Sequence, residues 1–232
     1  MIQRRSFLAA ILAWAGPWSL CGCGPQGHRI VLVGDSTMAD YPPARMPLSG
    51  WGQALRERLR GKANVINRAV PGSSTLSFSK NYWLDTVADL RPGDRLLIQF
   101  GHNDEQPDPK RHTVPWGSYR QLLELFVMEA RAAEVLPVLI TPIPRYLFSA
   151  GRVPETLGPY ADSMRSLARE LDVALVDLAR LGASEMERKG EVMVRKWYML
   201  DVDGHDTVHL TQLGAKNMAV IVERELVRLG LL

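Results

Sequence analysis

Cysteine is almost missing from this chain. Among 232 residues only Cys21 and Cys23 carry a thiol, and both precede Gly24. Everything beyond them therefore lacks a disulfide, a thiol nucleophile and a cysteine metal site. Long apolar runs are missing too, because Gly16 and Pro17 interrupt the one candidate before it reaches the roughly 18 residues of a membrane-crossing helix. Charge of one sign is scarce. The formal total is +3, and Arg4 and Arg5 are the only charges before Gly24, so the remainder is close to neutral. A nucleic-acid partner needs a basic stripe to replace released counterions, and none exists here. What remains, 46% hydrophobic and 23% charged, is the composition of one ordinary globular domain.

Met1 to Gly24 reads as an export signal. Arg4 and Arg5 precede an apolar stretch from Phe7 to Trp14 and then small residues. Paired arginines followed by Ser6-Phe7-Leu8 resemble the twin-arginine signal of exported bacterial proteins. The stretch Ser19-Leu20-Cys21-Gly22-Cys23 resembles a lipobox, with Cys23 the better lipid acceptor because Gly22 precedes it and Leu20 lies three residues back. Residues 1–23 are thus expected to be a leader, and residues 24–232 the domain. The protein is expected in the periplasm, either free after ordinary cleavage or held to a membrane by a lipid on Cys23.

From Arg29 onward short apolar runs alternate with helical patterns. Strands are predicted at Arg29–Val33, Asn64–Asn67, Arg95–Phe100, Pro137–Thr141 and Val173–Asp177. Three of these are nearly continuous Val, Leu and Ile, as parallel strands covered on both faces require. Helices are predicted near Trp51–Arg60, Tyr82–Leu90, Tyr119–Glu134, Pro159–Leu171 and Thr211–Leu229. Such alternation predicts a doubly wound, three-layer α/β/α sandwich of about five parallel strands. Ligands in such sheets bind at the carboxyl ends of the strands, so the residues following each strand carry the functional information.

Those residues are polar and specific. Gly34-Asp35-Ser36-Thr37 follows the first strand, and a serine on a tight turn there can present its hydroxyl outward. Asn67-Arg68-Ala69-Val70-Pro71-Gly72-Ser73-Ser74 follows the second, and Gly101-His102-Asn103-Asp104 the third. Asp206-Thr207-Val208-His209 precedes the last helix, a spacing that lets an aspartate orient an imidazole.

Together these four segments resemble the SGNH (GDSL-type) hydrolases, from about Ile30 to the end. The resemblance implies Ser36 as nucleophile, His209 as base and Asp206 as its partner. It implies an oxyanion hole from Ser36, Gly72 and Asn103. Gly50-Trp51-Gly52-Gln53, the run from Gln99 to Asp104, and Thr141-Pro142 with Arg145 look closer to the rhamnogalacturonan acetylesterase branch, carbohydrate esterase family 12. Tyr146 departs from that branch, where a second arginine often follows Arg145.

The expected activity is removal of O-acetyl groups from a plant polysaccharide, rhamnogalacturonan or pectin, through an acetyl-enzyme on Ser36. No cofactor and no metal are implied, the partner is an acetylated polysaccharide or oligosaccharide, and the protein is expected to act as a monomer. A lysophospholipase or general short-chain esterase, and a non-catalytic carbohydrate-binding protein on the same fold, are the competing readings. His205 and His209, four apart, also raise a zinc site, which would need a third ligand and a helix beneath the pair. Trp116 in a polar loop, Arg145 and His102 are candidate substrate contacts, the first by stacking on a sugar and the second by pairing with a uronate carboxylate.

Overall fold

The computed structural model describes residues 29–232. The segment expected to be an export signal, with Cys23, lies outside the described residues.

Five parallel strands form one sheet in the order β2-β1-β3-β4-β5. They are β1 (Arg29–Gly34), β2 (Asn64–Asn67), β3 (Arg95–Gln99), β4 (Leu136–Ile140) and β5 (Ala174–Val176). Nine α-helices among the described residues connect and cover them. Helix α1 (Trp51–Arg58) lies between β1 and β2, and α2 (Thr75–Asn81) and α3 (Trp83–Asp89) lie between β2 and β3. Next come α4 (Arg120–Ala132), α5 (Gly158–Glu170), α6 (Leu178–Lys189), α7 (Glu191–Arg195), α8 (Leu200–Asp203) and α9 (Gln212–Arg228).

Alternate residues of each strand enter opposite cores, because side chains along a strand point to opposite faces. Ile30, Leu32, Leu97, Val138 and Val176 pack with Trp51, Leu55, Met218 and Val222 in the layer of α1, α6 and α9. Val31, Val33, Leu96, Ile98 and Leu139 pack with Phe78, Trp83, Phe126 and Met164 in the layer of α2 to α5. The three-layer sandwich expected from the alternation of strands and helices is the fold observed. Helix α4 follows the same logic, with Leu123, Phe126, Val127 and Ala130 buried at helical spacing. Leu123, Phe126 and Val127 each stabilise the fold by about 1.5–3 kcal/mol relative to exposure. No helix among the described residues is long and apolar enough to cross a membrane.

The boundaries moved by at most two residues, and four helices, α2, α6, α7 and α8, were not predicted. Strand β5 is only Ala174–Val176, since Asp177 leaves the ladder to accept a hydrogen bond from the Arg180 N–H at the start of α6. Helix α2 begins inside what reads as a polar turn, because Ser74 and Ser77 close a reciprocal capping box there. Helices α7 and α8 are shorter than periodicity can reveal.

The order β2-β1-β3 sets the site. The chain leaves β1 to one side and returns past it to β3, so the loops after β1, β2 and β3 open together at their carboxyl ends. The close approach there excludes a side chain at residue 34, where a Cβ would stand 2.6 Å from the Gln99 carbonyl oxygen.

Candidate active site

Ser36 stands on the turn after β1. The Asp35 carboxylate shapes that turn by accepting hydrogen bonds from the Thr37 N–H (2.9 Å) and hydroxyl (2.7 Å). Behind it the Trp51 indole N–H donates to Gln99 Oε1 (2.6 Å), and Gln99 Nε2 donates to Thr37 Oγ1 (2.7 Å). This buried series gives each group one defined partner and so locks the Ser36 turn to α1 and β3. On the outer side the Tyr41 hydroxyl donates to the Ser36 carbonyl (2.8 Å). Burial, helped by the charge of Asp35, pushes Tyr41 up to about 12, so it remains a donor at neutral pH.

Asp206 and His209 arrive on the segment between α8 and α9. That segment is stitched along its length: the Leu200 N–H donates to the Asp206 carbonyl (2.7 Å), the Met199 N–H to the His209 carbonyl (2.8 Å) and the Ser49 N–H to the Leu210 carbonyl (3.0 Å). Asp203 Oδ1 accepts the N–H groups of His205 and Asp206, each at 2.9 Å, and turns the chain so that Asp206 faces inward. Asp206 Oδ1 then accepts the N–H groups of Val208 and His209, each at 2.9 Å. Burial works against the Asp206 charge, but these donors and His209 outweigh it and hold the carboxyl below its ordinary range.

The two segments meet through the imidazole. His209 Nε2 lies 2.9 Å from Ser36 Oγ, and Nδ1 lies 2.7 Å from Asp206 Oδ2. Because a carboxylate only accepts, the Nδ1 position carries the proton and Nε2 is free to accept from the serine. Ser36, His209 and Asp206, separated by up to 173 positions in the chain, thus form one hydrogen-bonded series.

Gly72 and Asn103 border the same space. Residue 72 has φ +80°, a left-handed conformation that favours glycine. Among the described residues the N–H groups of Ser36 and Gly72 donate to no protein acceptor. Asn103 Nδ2 donates to the Ser73 carbonyl (3.0 Å), and Arg111 donates to Asn103 Oδ1 (3.3 Å). These two bonds fix which end of the amide faces the serine and leave the second Nδ2 hydrogen free.

A cleft of about 740 Å³ opens beside Ser36 and His209, with Gly72, Asn103, Tyr41, Arg45, Arg111 and Met199 on its walls. A smaller recess of about 330 Å³ lies on the other side of the imidazole, bounded by His102, Gln106, Arg145 and His205. Its arginine is not free: Arg145 pairs with Glu105. His102 is buried and reaches the Ile143 carbonyl through Nε2 (3.1 Å), while its Nδ1 has no partner. Burial, with the charges of Arg145 and His209, pushes His102 down to about 3, so it is neutral at physiological pH.

Trp116 stands apart. It is 57% exposed and borders neither recess, because the Pro115 carbonyl accepts from Ser163 Oγ (2.6 Å) and ties that turn to α5. His205 does not join a metal site either. Its ring is exposed and turned to the Asp203 carbonyl (3.0 Å), and both nitrogens of His209 are engaged. Among the described residues no group of three or more His, Cys, Asp or Glu side chains is placed to hold a metal.

Sequence reading missed Tyr41, Arg45, Asp203 and Arg111. Only Asp203 left a signal, its spacing of three residues before Asp206. The other three reach the cleft from turns whose course periodicity does not reveal.

A parallel α/β sandwich with a Ser–His–Asp series beside its strand ends is the architecture of a serine hydrolase. Residues 32–216 match the GDSL-like lipase/acylhydrolase family, and the chain belongs to that family. It is a carboxylic ester hydrolase. It is 37% identical to the rhamnogalacturonan acetylesterase RhgT of Bacillus subtilis, over 88% of this chain and 91% of that one. The probable rhamnogalacturonan acetylesterase YesY of the same organism is 34% identical over 89% and 95%. Among solved structures, protein YxiM of Bacillus subtilis superimposes with a TM-score of 0.79 at 27% identity, covering 88% of this chain and 57% of that one.

Proposed function

We propose that the protein is a serine acetylesterase that removes O-acetyl groups from an acidic plant cell-wall polysaccharide of the rhamnogalacturonan type. The observation that carries the reading is the unbroken series Asp206–His209–Ser36, opening on a cleft beside unspent N–H donors. The named activity of RhgT, over nearly the whole of both chains, supports the substrate class.

His209 Nε2 takes the Ser36 Oγ proton as Oγ bonds to the acetyl carbonyl carbon. Asp206 stabilises the imidazolium and holds its tautomer. The oxyanion receives the N–H groups of Ser36 and Gly72 and the Asn103 amide, donors already oriented before charge develops. The tetrahedral centre collapses by breaking the bond to the sugar oxygen, which leaves with the proton from His209. Water then adds to the acetyl-Ser36 carbonyl by the same route and releases acetate.

The cleft suits a short acyl group. A long chain must bury many methylenes at about 0.8 kcal/mol each, whereas here Leu48, Met199, Pro42 and Pro71 share the walls with Arg45, Asp203, Asp206 and Arg111. Export through the residue 1–23 leader, with a lipid on Cys23, would put the enzyme where extracellular fragments pass.

Acetate release from acetylated pectic and xylan oligosaccharides, beside fatty-acid release from a long-chain lysolipid, tests the reading. The pectic substrate should have the highest kcat/KM, and Ser36→Ala should abolish the reaction. Preference for the lysolipid would overturn the carbohydrate assignment, and equal rates on xylan would remove the preference for an acidic chain.

A further inference from the structure

The active-site cleft does not end at Gly72. Pro71, Gly72 and Arg111 form a shared wall, beyond which lies a second recess of about 420 Å³. Lys80, from the last turn of α2, and Lys110, from the loop after β3, border it together with Tyr82. Three features of this recess are chemically coherent.

Its charge is positive and unspent. Neither Lys80 nor Lys110 has a carboxylate within ion-pair distance among the described residues. The one acid there, Asp108, is already committed. Its Oδ1 accepts the Lys110 N–H (3.0 Å) and its Oδ2 the Arg111 guanidinium (3.0 Å), and these bonds hold it ionised and occupied. By contrast, Arg145 in the recess on the opposite side of His209 is paired with Glu105.

Its aromatic wall is firm. Tyr82 is 42% exposed, yet its ring packs on the buried Phe78 at 5.6 Å and 43°. An exposed ring braced from behind is the kind of surface on which a pyranose face rests at little entropic cost. Finally, the recess adjoins the cleft that holds Ser36 across Pro71, Gly72 and Arg111, so one extended chain can reach both.

We infer that Lys80, Lys110 and Tyr82 form a distal subsite for a carboxylate-bearing sugar of the same polymer, several units from the acetylated one. The inference rests on the acidic-polysaccharide reading above. It assigns the recognition of negative charge to the side of the cleft beyond Gly72 and not to Arg145. Occupancy of this subsite holds the polymer across Ser36, so its contribution grows with chain length and is screened by salt.

The experiment separates binding from turnover. In the Ser36→Ala protein, calorimetry measures affinity for deacetylated uronate-containing oligosaccharides of two and six units and for a neutral xylan hexasaccharide. Adding Lys80→Gln and Lys110→Gln should weaken the acidic hexasaccharide about fivefold, the scale of two exposed ion pairs, with little effect on the disaccharide. Moderate salt should remove most of that difference. In the otherwise wild-type enzyme the same pair should raise KM for the acetylated acidic hexasaccharide and leave kcat close to its starting value. Unchanged affinity, or an equal loss on the neutral hexasaccharide, overturns the subsite while an intact wild-type preference for acidic esters preserves the functional reading. An enzyme that deacetylates only neutral chains overturns both.

Discussion

His209 and Asp206 are joined twice. The backbone N–H of His209 donates to Asp206 Oδ1 at 2.9 Å, and its Nδ1 faces Asp206 Oδ2 at 2.7 Å. One carboxylate therefore fixes both where the imidazole stands in the chain and how its ring is turned. The spacing of three residues makes this possible, since a tight turn brings backbone and side chain of the later residue to the same acid.

Asp206→Asn separates those two tasks. The amide oxygen can still accept the backbone N–H groups, so the turn should persist, but an amide nitrogen facing Nδ1 favours the wrong tautomer. We expect kcat to fall by roughly 10⁴ with the unfolding midpoint nearly unchanged. Activity within about tenfold of the starting enzyme would show that another group orients His209.

Asn103→Ala tests the oxyanion hole. Its amide is held by the Ser73 carbonyl and by Arg111, so the donor is oriented before substrate arrives. Loss of such a donor should lower kcat by roughly 10²–10³ with a smaller change in KM. A change confined to KM would make Asn103 a ground-state contact only.

His102 makes stability depend on pH. Its folded pKa, pushed down to about 3 chiefly by burial, lies below the value of an unfolded histidine near 6.5. The unfolded chain then binds a proton that the folded chain refuses, so stability present above pH 6.5 is lost as pH falls. Asp35 and Asp104, pushed up to about 6 and about 7 by burial, act with the opposite sign over part of that range. They are common to the wild type and to His102→Gln, so comparison of the two isolates the histidine. Between pH 7 and pH 5 the wild type should lose about 2 kcal/mol relative to the variant in urea unfolding. Parallel stability–pH curves would show that His102 takes up a proton in the folded protein.

The proposal that Cys23 carries a lipid is tested by where the protein is found. Cys23→Ala should move it from the membrane fraction to the soluble one, whereas Cys21→Ala should not. A mature amino terminus beyond Cys23 without lipid mass, found by mass spectrometry, would refute the anchor and leave export standing.

Much of the fold was legible because its signals are local. Near-continuous apolar runs at Ile30–Val33, Leu96–Ile98 and Val138–Ile140 announce strands buried on both faces. Leu123, Phe126, Val127 and Ala130 likewise announce a helix through spacing alone. The candidate site was legible for a related reason. Strand ends in a doubly wound sheet converge, so Ser36, Gly72 and Asn103 could be expected to meet before any distance was known.

Other features depended on how distant turns pass one another. Nothing near Arg145 in sequence indicates that Glu105, forty positions earlier, takes up its charge. Trp116 looks like a sugar platform in a polar loop, yet Ser163 draws the neighbouring Pro115 to α5 and leaves the ring outside both recesses beside Ser36. Tyr82 reads as the start of an ordinary helix, but becomes an exposed ring braced by Phe78 and bordering the same recess as Arg111. Periodicity and turn chemistry belong to the chain and survive being read one residue at a time. A hydrogen bond or an ion pair between residues far apart exists only when the packed layers bring both partners within about 3 Å, and that decision is tertiary.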